Sequence, residues 1–145
     1  MTVKHILVPY DGTKAADNAF DAALETVLKD KAKLSVVSWI SSQGYTVGYT
    51  LLKENKLQSN IKKLEDKADK VNVKFQHESF RYGGVSAMSP PTQTIPELIV
   101  SYAKDHQVDL IVMGSRGLKG LKKKLLGSVS EEVSQLAPCQ VLIVK

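Results

Sequence analysis

Short apolar runs alternate with amphipathic segments along the whole chain, and this alternation restricts the fold more than any other feature. Five runs have the length and composition of β-strands, at residues 5–9, 34–40, 73–78, 109–113 and 140–144. The segments between them carry apolar residues at helical spacing. The order βαβαβαβαβ predicts a single α/β domain over residues 1–145. Its sheet is expected to be mostly parallel with helices on both faces, because parallel neighbours need a long crossover connection.

Local signals predict where several elements begin. Thr13 stands as an N-cap before the first helix, and Thr94 and Glu97 have capping-box spacing before the third. Ser128 and Glu131 show the same spacing before the last helix. The second helix is expected over residues 51–71. The third strand, 73–78, alternates apolar and charged residues, which is typical of a strand at a sheet edge.

Composition narrows the class of protein. No apolar run approaches the ~20 residues that span a bilayer, and the N-terminal residues do not resemble a secretory signal, so a cytoplasmic protein is expected. Cys139 is the only cysteine, which leaves no intrachain disulfide. His5, His77 and His106 lack metal-ligand spacing, and no metal site is predicted.

The chain carries a net charge of +5, which permits an anionic partner. Four lysines stand close together at positions 119 and 122–124. They form either a solvated face or a surface that attracts ATP or another polyanion. A nucleic-acid role is not expected, because no aromatic residues interrupt the run to stack on bases.

A glycine-rich loop follows the fourth predicted strand and ends at the last predicted helix. Gly114 and Gly117 open it, and Gly127 and Ser128 close it. Glycines let the backbone approach an anion, and the N-terminus of the helix attracts negative charge. The loop is neither a Walker P-loop nor the dinucleotide G-x-G-x-x-G motif. Its composition nevertheless favours a polyphosphate.

The spacing Gly114-x2-Gly117-x9-Gly127-Ser128 resembles the G-2x-G-9x-G-[S/T] signature of the ATP-binding universal stress proteins. The opening at residues 6–13 (ILVPYDGT) and the close at residues 137–144 (APCQVLIV) are also similar to that family. The resemblance covers nearly the whole chain and is weakest in the middle. It implies a Rossmann-like adenine-nucleotide-binding fold with strand order 3-2-1-4-5.

The resemblance also implies a site for ATP, with Mg²⁺, across the carboxyl ends of the first and fourth strands. Asp11 would contact the ribose or neighbouring polar groups, and Trp39 would meet adenine mainly through its backbone. The family usually has a small aliphatic residue where this chain has Trp39. The other residues implied in the site flank Asp11, border the nucleoside or surround the phosphates: Pro9, Thr13, Met113, Gly114, Arg116, Gly117, Gly127, Ser128, Val129 and Ser130.

No dedicated catalytic set stands out, so a nucleotide-dependent stress-response or signalling module is expected rather than an efficient enzyme. The resemblance implies a homodimer that pairs the last strand, 140–144. Two alternatives remain: a dimeric interaction module of the same fold without nucleotide, and a weak ATPase or adenylate-forming enzyme. Residues 81–93 are longer than the corresponding turn in the family and are interpreted as a surface loop, with a lid over the nucleotide as the alternative.

Overall fold

A computed structural model describes residues 2–41, 47–82, 93–115 and 127–145, with only the backbone of residues 47–52. These ranges hold five strands and four helices in alternation. In chain order they are β1 (His5–Pro9), α1 (Lys14–Asp30), β2 (Lys33–Ser41), α2 (Val47–Asp69), β3 (Gln76–Tyr82), α3 (Ile95–Asp105), β4 (Leu110–Gly114), α4 (Ser128–Leu136) and β5 (Gln140–Val144). Among the described residues, no helix combines the length and apolar character that crossing a bilayer demands.

The strands form one parallel sheet in the order β3-β2-β1-β4-β5, which confirms the predicted fold class and strand order. β1 is central and pairs with β2 on one side and with β4 on the other, where Ile6 lies opposite Leu110. The carboxyl ends of β1 and β4 are therefore neighbours, in the middle of the side of the sheet where the strands end. This is the edge where ligands bind in doubly wound folds.

Two apolar cores cover the two faces of the sheet, because successive strand residues point to opposite sides. On β1, Ile6 and Val8 are buried with α1 and α2, whereas Leu7 is buried with α3 and α4. Phe20 of α1 is fully buried in the first core and makes an edge-to-face contact with Phe75. In the second core Ile111 packs with α3 residues. Such burial on both faces explains why the central strands are continuous apolar runs.

The helix starts agree with two of the three predicted caps. Thr13 accepts a hydrogen bond from the Ala16 N–H and caps α1. Thr94 and Glu97 form the reciprocal capping box of α3. Ser128 does not cap α4: the cap position is Gly127, and Ser128 is the first helical residue. The capping-box prediction at Ser128 is wrong because the helix starts one residue earlier than that spacing requires.

The third strand lies at the sheet edge as predicted, but its predicted bounds, 73–78, are wrong. β3 spans Gln76–Tyr82. Val73 instead closes the end of α2, where its N–H bonds to the Ala68 carbonyl and its side chain enters the first core. The alternation of apolar and polar residues at 73–77 thus reflects the burial of the turn that connects α2 to β3, and only its last residues belong to the strand. α2 also begins at Val47, four residues before the predicted start.

Candidate functional site

The turn after β1 holds the Asp11 carboxylate in a fixed position. Its Oδ1 accepts the Thr13 backbone N–H at 3.0 Å and the Thr13 hydroxyl at 2.6 Å. Asp11 is exposed, and its Oδ2 has no hydrogen-bond partner within the described ranges. The turn therefore uses one carboxylate oxygen for structure and leaves the other available to a ligand.

Gly12 makes this turn possible because it adopts φ +82°, a conformation that glycine reaches without strain. A side chain at this position would also meet α2, since an added Cβ would lie 2.9 Å from the Asn60 amide nitrogen. Asn60 therefore lies directly over the Asp11 turn. Sequence reasoning did not identify Asn60, because an asparagine within a polar helix gives no local signal of its contact with a distant loop.

Gly114, at the end of β4, brings the start of the glycine-rich loop against the Asp11 turn. A Cβ on Gly114 would lie 2.6 Å from the Ala15 Cβ and 2.8 Å from the Ala15 carbonyl carbon. The start of α1 therefore packs on the β4 backbone at a distance that only glycine permits. As a result, the Asp11 turn and the start of the glycine-rich loop lie side by side.

Ser115 joins the end of β4 to the start of α4. Its buried carbonyl accepts hydrogen bonds from the Gly127 N–H and, at 3.1 Å, from the Ser130 hydroxyl. The Ser130 hydroxyl also lies 3.1 Å from the Gly127 carbonyl, and Ser130 is only 2% exposed. The Ser130 hydroxyl proton is thus engaged by the backbone, and the role of Ser130 as a phosphate contact stays a prediction. Sequence reasoning did not identify the part played by Ser115.

The N-terminus of α4 has the features of an anion site. Gly127 has φ −73° and offers no side-chain cap to the first-turn N–H groups. Ser128 is exposed at the first helical position. Val129 turns its side chain into the second core, so its backbone N–H is the part of the residue that an anion could reach. These features leave backbone donors and one hydroxyl at the positive end of the helix dipole.

Trp39 lies in β2 opposite Phe80 of β3, and the strand continues past it to Ser41. Its ring is partly buried, stacks on Phe80 at 6.2 Å between centroids and meets the Tyr102 ring edge-on, also at 6.2 Å. The side chain therefore belongs to the second core, and a contact with adenine through the backbone stays a prediction.

The remaining predicted residues lie at the strand ends or outside the described ranges. Pro9 ends β1, and the buried Met113 lies beside Gly114 near the end of β4. Arg116 and Gly117, the lysine run at 119–124 and residues 83–92 lie outside the described residues. The structure thus brings together Asp11, Thr13, Gly114 and the loop end at Gly127 and Ser128.

A buried phenol, that of Tyr10, lies next to the turn. The Tyr10 hydroxyl donates to Asp17 at 2.6 Å, and burial together with this bond raises the pKa of Tyr10. Tyr10 is therefore a fixed structural donor at neutral pH. No group of three His, Cys, Asp or Glu side chains suited to a metal ion occurs among the described residues.

These features define a class of protein. Its members are doubly wound α/β domains in which the candidate ligand site lies at the carboxyl ends of two central strands, and a glycine-rich loop precedes the last helix. The model of the universal stress protein family matches residues 2–145 of the chain. The chain therefore belongs to the universal stress protein family.

Comparisons with single proteins agree with this assignment. The universal stress protein YxiE of Bacillus subtilis is 33% identical, over 97% of this chain and 97% of its own length. A putative universal stress protein of Staphylococcus saprophyticus is 30% identical, over 100% of this chain and 85% of its own length. Among solved structures, hypothetical protein MJ0577 aligns with a TM-score of 0.77 and 27% identity, over 100% of this chain and 97% of that one.

Several structural neighbours are described as nucleotide complexes. A universal stress protein in complex with cAMP aligns with a TM-score of 0.67 and 24% identity, over 99% of this chain and 98% of that one. The universal stress protein of Archaeoglobus fulgidus in complex with dAMP aligns with a TM-score of 0.66 and 20% identity, over 100% of this chain and 100% of that one. The Arabidopsis thaliana universal stress protein family protein with AMP bound aligns with a TM-score of 0.67 and 16% identity, over 98% of this chain and 91% of that one. At these identities the likeness shows the fold alone.

Proposed function

We propose that the chain binds an adenine nucleotide, ATP with Mg²⁺, across the carboxyl ends of β1 and β4. The sugar would lie beside Asp11 and the phosphates at the N-terminus of α4. In this role the protein is a nucleotide-dependent stress-response or signalling module. Nucleotides of the same class, cAMP, dAMP and AMP, are named in the complexes of three structural neighbours.

The observation that carries the proposal is the uncapped start of α4 next to the Asp11 turn. Helix N-termini are normally capped by a Ser, Thr, Asp or Asn side chain, as Thr13 and Thr94 cap α1 and α3. α4 starts on Gly127, which provides no such acceptor. A phosphate oxygen would supply the acceptor that the side chain of the cap residue does not provide here, and the helix dipole would favour its charge.

Binding without efficient turnover is the second part of the proposal. Hydrolysis needs a group that positions and activates water. Asp11 is the acidic side chain of the turn, and its Oδ1 is engaged by Thr13. A single remaining carboxylate oxygen is suited to a sugar hydroxyl or a metal-bound water. A weak ATPase remains the alternative, tested by phosphate release.

The proposal also includes a homodimer formed by β5. β5 is an edge strand of the sheet, and Leu142 on it is 43% exposed. An apolar strand edge is a template for pairing with another chain and is usually covered. Pairing two copies of β5 would cover it, and sedimentation of the purified chain checks this part separately.

The first experiment combines identification and titration of bound nucleotide. The purified protein is denatured and the released small molecules are identified by mass spectrometry. Stripped protein is then titrated by calorimetry with Mg-ATP, AMP and cAMP. We expect copurified ATP or micromolar affinity for Mg-ATP.

Ser128→Glu places a carboxylate at the start of α4, where it repels a phosphate while remaining compatible with the helix dipole. At an effective dielectric between those of water and of a protein surface, each pair of unit charges ~4 Å apart costs about 1–4 kcal/mol. We therefore expect affinity to fall at least ~5-fold.

Ser134→Glu is the matched control, because it adds the same charge to an exposed position of the same helix away from its N-terminus. It should leave affinity unchanged. If stripped wild-type protein binds none of the three nucleotides at millimolar concentration, the chain is instead an interaction module whose glycine-rich loop is structural.

A further inference from the structure

A basic surface lies at the amino ends of β1, β2 and β3, at the end of the molecule away from the candidate nucleotide site. Because the sheet is parallel, α1 and α2 both end here before the chain enters β2 and β3. The Lys33 N–H donates to the Lys4 carbonyl at 2.8 Å, so the starts of β1 and β2 lie side by side. This surface, called here the amino pole, has six exposed lysines: Lys4, Lys29, Lys31, Lys33, Lys70 and Lys74.

Nearby carboxylates neutralise only part of the charge of the amino pole. Lys74 pairs with Asp69 at 3.1 Å, and the other five lysines have no salt-bridge partner within the described ranges. Asp30 and Asp109 also lie at this end of the molecule, where their carboxylates accept backbone N–H groups at 2.9 Å. The lysines outnumber these three aspartates, so the amino pole keeps a net positive charge.

Two large apolar side chains are exposed among these lysines. Leu28, in the last turn of α1, is 52% exposed, and Val71, in the turn after α2, is 39% exposed. Asp21 of α1 pairs with Lys67 of α2 at 3.1 Å, which marks the sides on which the two helices meet. Leu28 follows Asp21 by seven residues and Val71 follows Lys67 by four, so both lie toward the boundary between α1 and α2. The amino pole is therefore both basic and apolar.

The helix dipole accounts for only part of this arrangement. Cations near a helix C-terminus are favourable, which explains the lysines at the ends of α1 and α2. It does not explain Lys4 and Lys33, which lie at the starts of strands. It also does not explain the exposure of Leu28 and Val71, because an apolar side chain gains nothing from the dipole.

The chemistry of the amino pole fits an anionic lipid surface better than a nucleic acid or a protein. Nucleic acids are bound through arginine forks, helix N-termini and aromatic stacking, whereas this surface is built from lysines and aliphatic residues beside two helix C-termini. A stable protein interface needs a larger apolar centre than two side chains. Lysines are flexible point charges that suit a fluid layer of headgroups, and exposed apolar side chains enter the boundary between headgroups and acyl chains.

We propose that the amino pole is a peripheral docking surface for an anionic lipid bilayer. The lysines lie at the level of the headgroups, and Leu28 and Val71 enter the boundary beneath them. The carboxyl ends of β1 and β4 lie at the other end of the strands, so the docked protein keeps the candidate nucleotide site open to solvent. Docking does not require a bound nucleotide.

The test is sedimentation of the purified, nucleotide-free chain with vesicles of phosphatidylcholine, either alone or with about one-third phosphatidylglycerol. We expect binding to the anionic vesicles only, and a steep fall in binding at about 1 M salt, where charges are screened beyond ~3 Å. Each lysine near such a surface contributes a factor of ~5 to the partition constant. Lys33→Gln combined with Lys70→Gln should therefore lower that constant ~25-fold. Leu28→Ser should lower it ~5-fold, because less apolar area is buried.

Two control variants match these changes outside the amino pole. Lys56→Gln combined with Lys62→Gln removes the same charge from exposed positions of α2 that lie ~12–21 Å along the helix from Lys70. It should leave the partition constant nearly unchanged. Leu136→Ser changes a leucine of α4 that is 50% exposed, on the opposite face of the sheet from Leu28, and should also leave it unchanged.

Several outcomes would overturn the proposal. Equal binding to neutral vesicles, or no binding to either kind, would do so. Binding that persists in the Lys33→Gln, Lys70→Gln variant would assign the contact to another part of the chain. A short DNA duplex is the competing polyanion: if the chain binds it as tightly as the vesicles and Leu28→Ser weakens neither, the surface is one for nucleic acid. Circular dichroism and Tm of each variant exclude unfolding as the cause of lost binding.

Discussion

Gly114→Ala tests whether this glycine is required by packing, apart from any ligand. The added Cβ would lie 2.6 Å from the Ala15 Cβ, 2.8 Å from its carbonyl carbon and 2.9 Å from its carbonyl oxygen. Carbon atoms normally approach to about 3.5–4.0 Å, so α1 must move by roughly 1 Å. Two of the three contacts are with backbone atoms, which cannot rotate away. The N-terminal half of α1 is moreover held by the fully buried Phe20 in the first core.

Overpacking of this kind typically costs 1–3 kcal/mol, and the backbone contacts place Gly114→Ala at about 3 kcal/mol. At roughly 2–4 °C per kcal/mol for a domain of this size, Tm should fall by roughly 6–12 °C. Differential scanning calorimetry and urea unfolding measure this loss in the nucleotide-free protein, so that ligand effects do not enter.

A matched control and a double mutant sharpen the result. Gly127 has an ordinary φ of −73°, so Gly127→Ala should cost under about 1 kcal/mol, as a change at a helix N-cap. Ala15→Gly removes the shortest contact and should partly rescue Gly114→Ala, with a favourable coupling energy in the double-mutant cycle. A Tm within about 2 °C of wild type for Gly114→Ala would show that α1 yields easily, and the packing explanation would be refuted.

Two further predictions concern single hydrogen-bonding side chains. Thr13→Ala removes the cap of α1 and the support of Asp11, so the free energy of unfolding should fall by about 1 kcal/mol. Thr13→Ser keeps the hydroxyl and should keep the wild-type stability. Equal losses for the two variants in urea unfolding would contradict this explanation. Asp109 accepts the N–H groups of Lys4 and His5 at 2.9 Å. Burial raises the pKa of Asp109, but these hydrogen bonds outweigh burial, and the pKa is lowered. The contribution of Asp109 to the free energy of unfolding is therefore present above pH 3.8 and is lost as the pH falls through the lowered pKa. Asp109→Asn should cost about 1–3 kcal/mol at neutral pH in denaturant titrations, and a cost that does not shrink in acid would contradict the sign.

The fold was predictable because its central strands are buried on both faces. β1 and β4 are apolar at almost every position, so both can be recognised from the sequence without knowledge of their neighbours. β3 was misplaced for the opposite reason. It is an edge strand with polar residues on both faces, so the buried Val73 and the partly buried Phe75 of the preceding turn gave a stronger alternation than the strand itself.

The candidate site was predictable where backbone geometry demands a residue type. Gly114 ends β4 and its type is fixed by a close approach, whereas Asp11 follows β1 and its type is fixed by a turn. Contacts between distant elements leave no such signal. Asn60 over Gly12 and Ser115 against Ser130 join residues on different elements, and the His5 ring bonds to the His106 carbonyl, 101 residues away in the sequence.

The central position of β1 has a consequence for synthesis of the chain. β1 emerges first and pairs with β2, but its other edge waits for Leu110 of β4, about 100 residues later. At 5–20 residues per second, a ribosome needs roughly 5–20 s to make that segment. During this interval Leu7 has no second core to enter and one edge of β1 is unpaired, so the nascent chain presents an apolar strand to its surroundings. A message cut short before β4 would therefore yield a product that aggregates, and holdase chaperones have their greatest opportunity to bind in that interval.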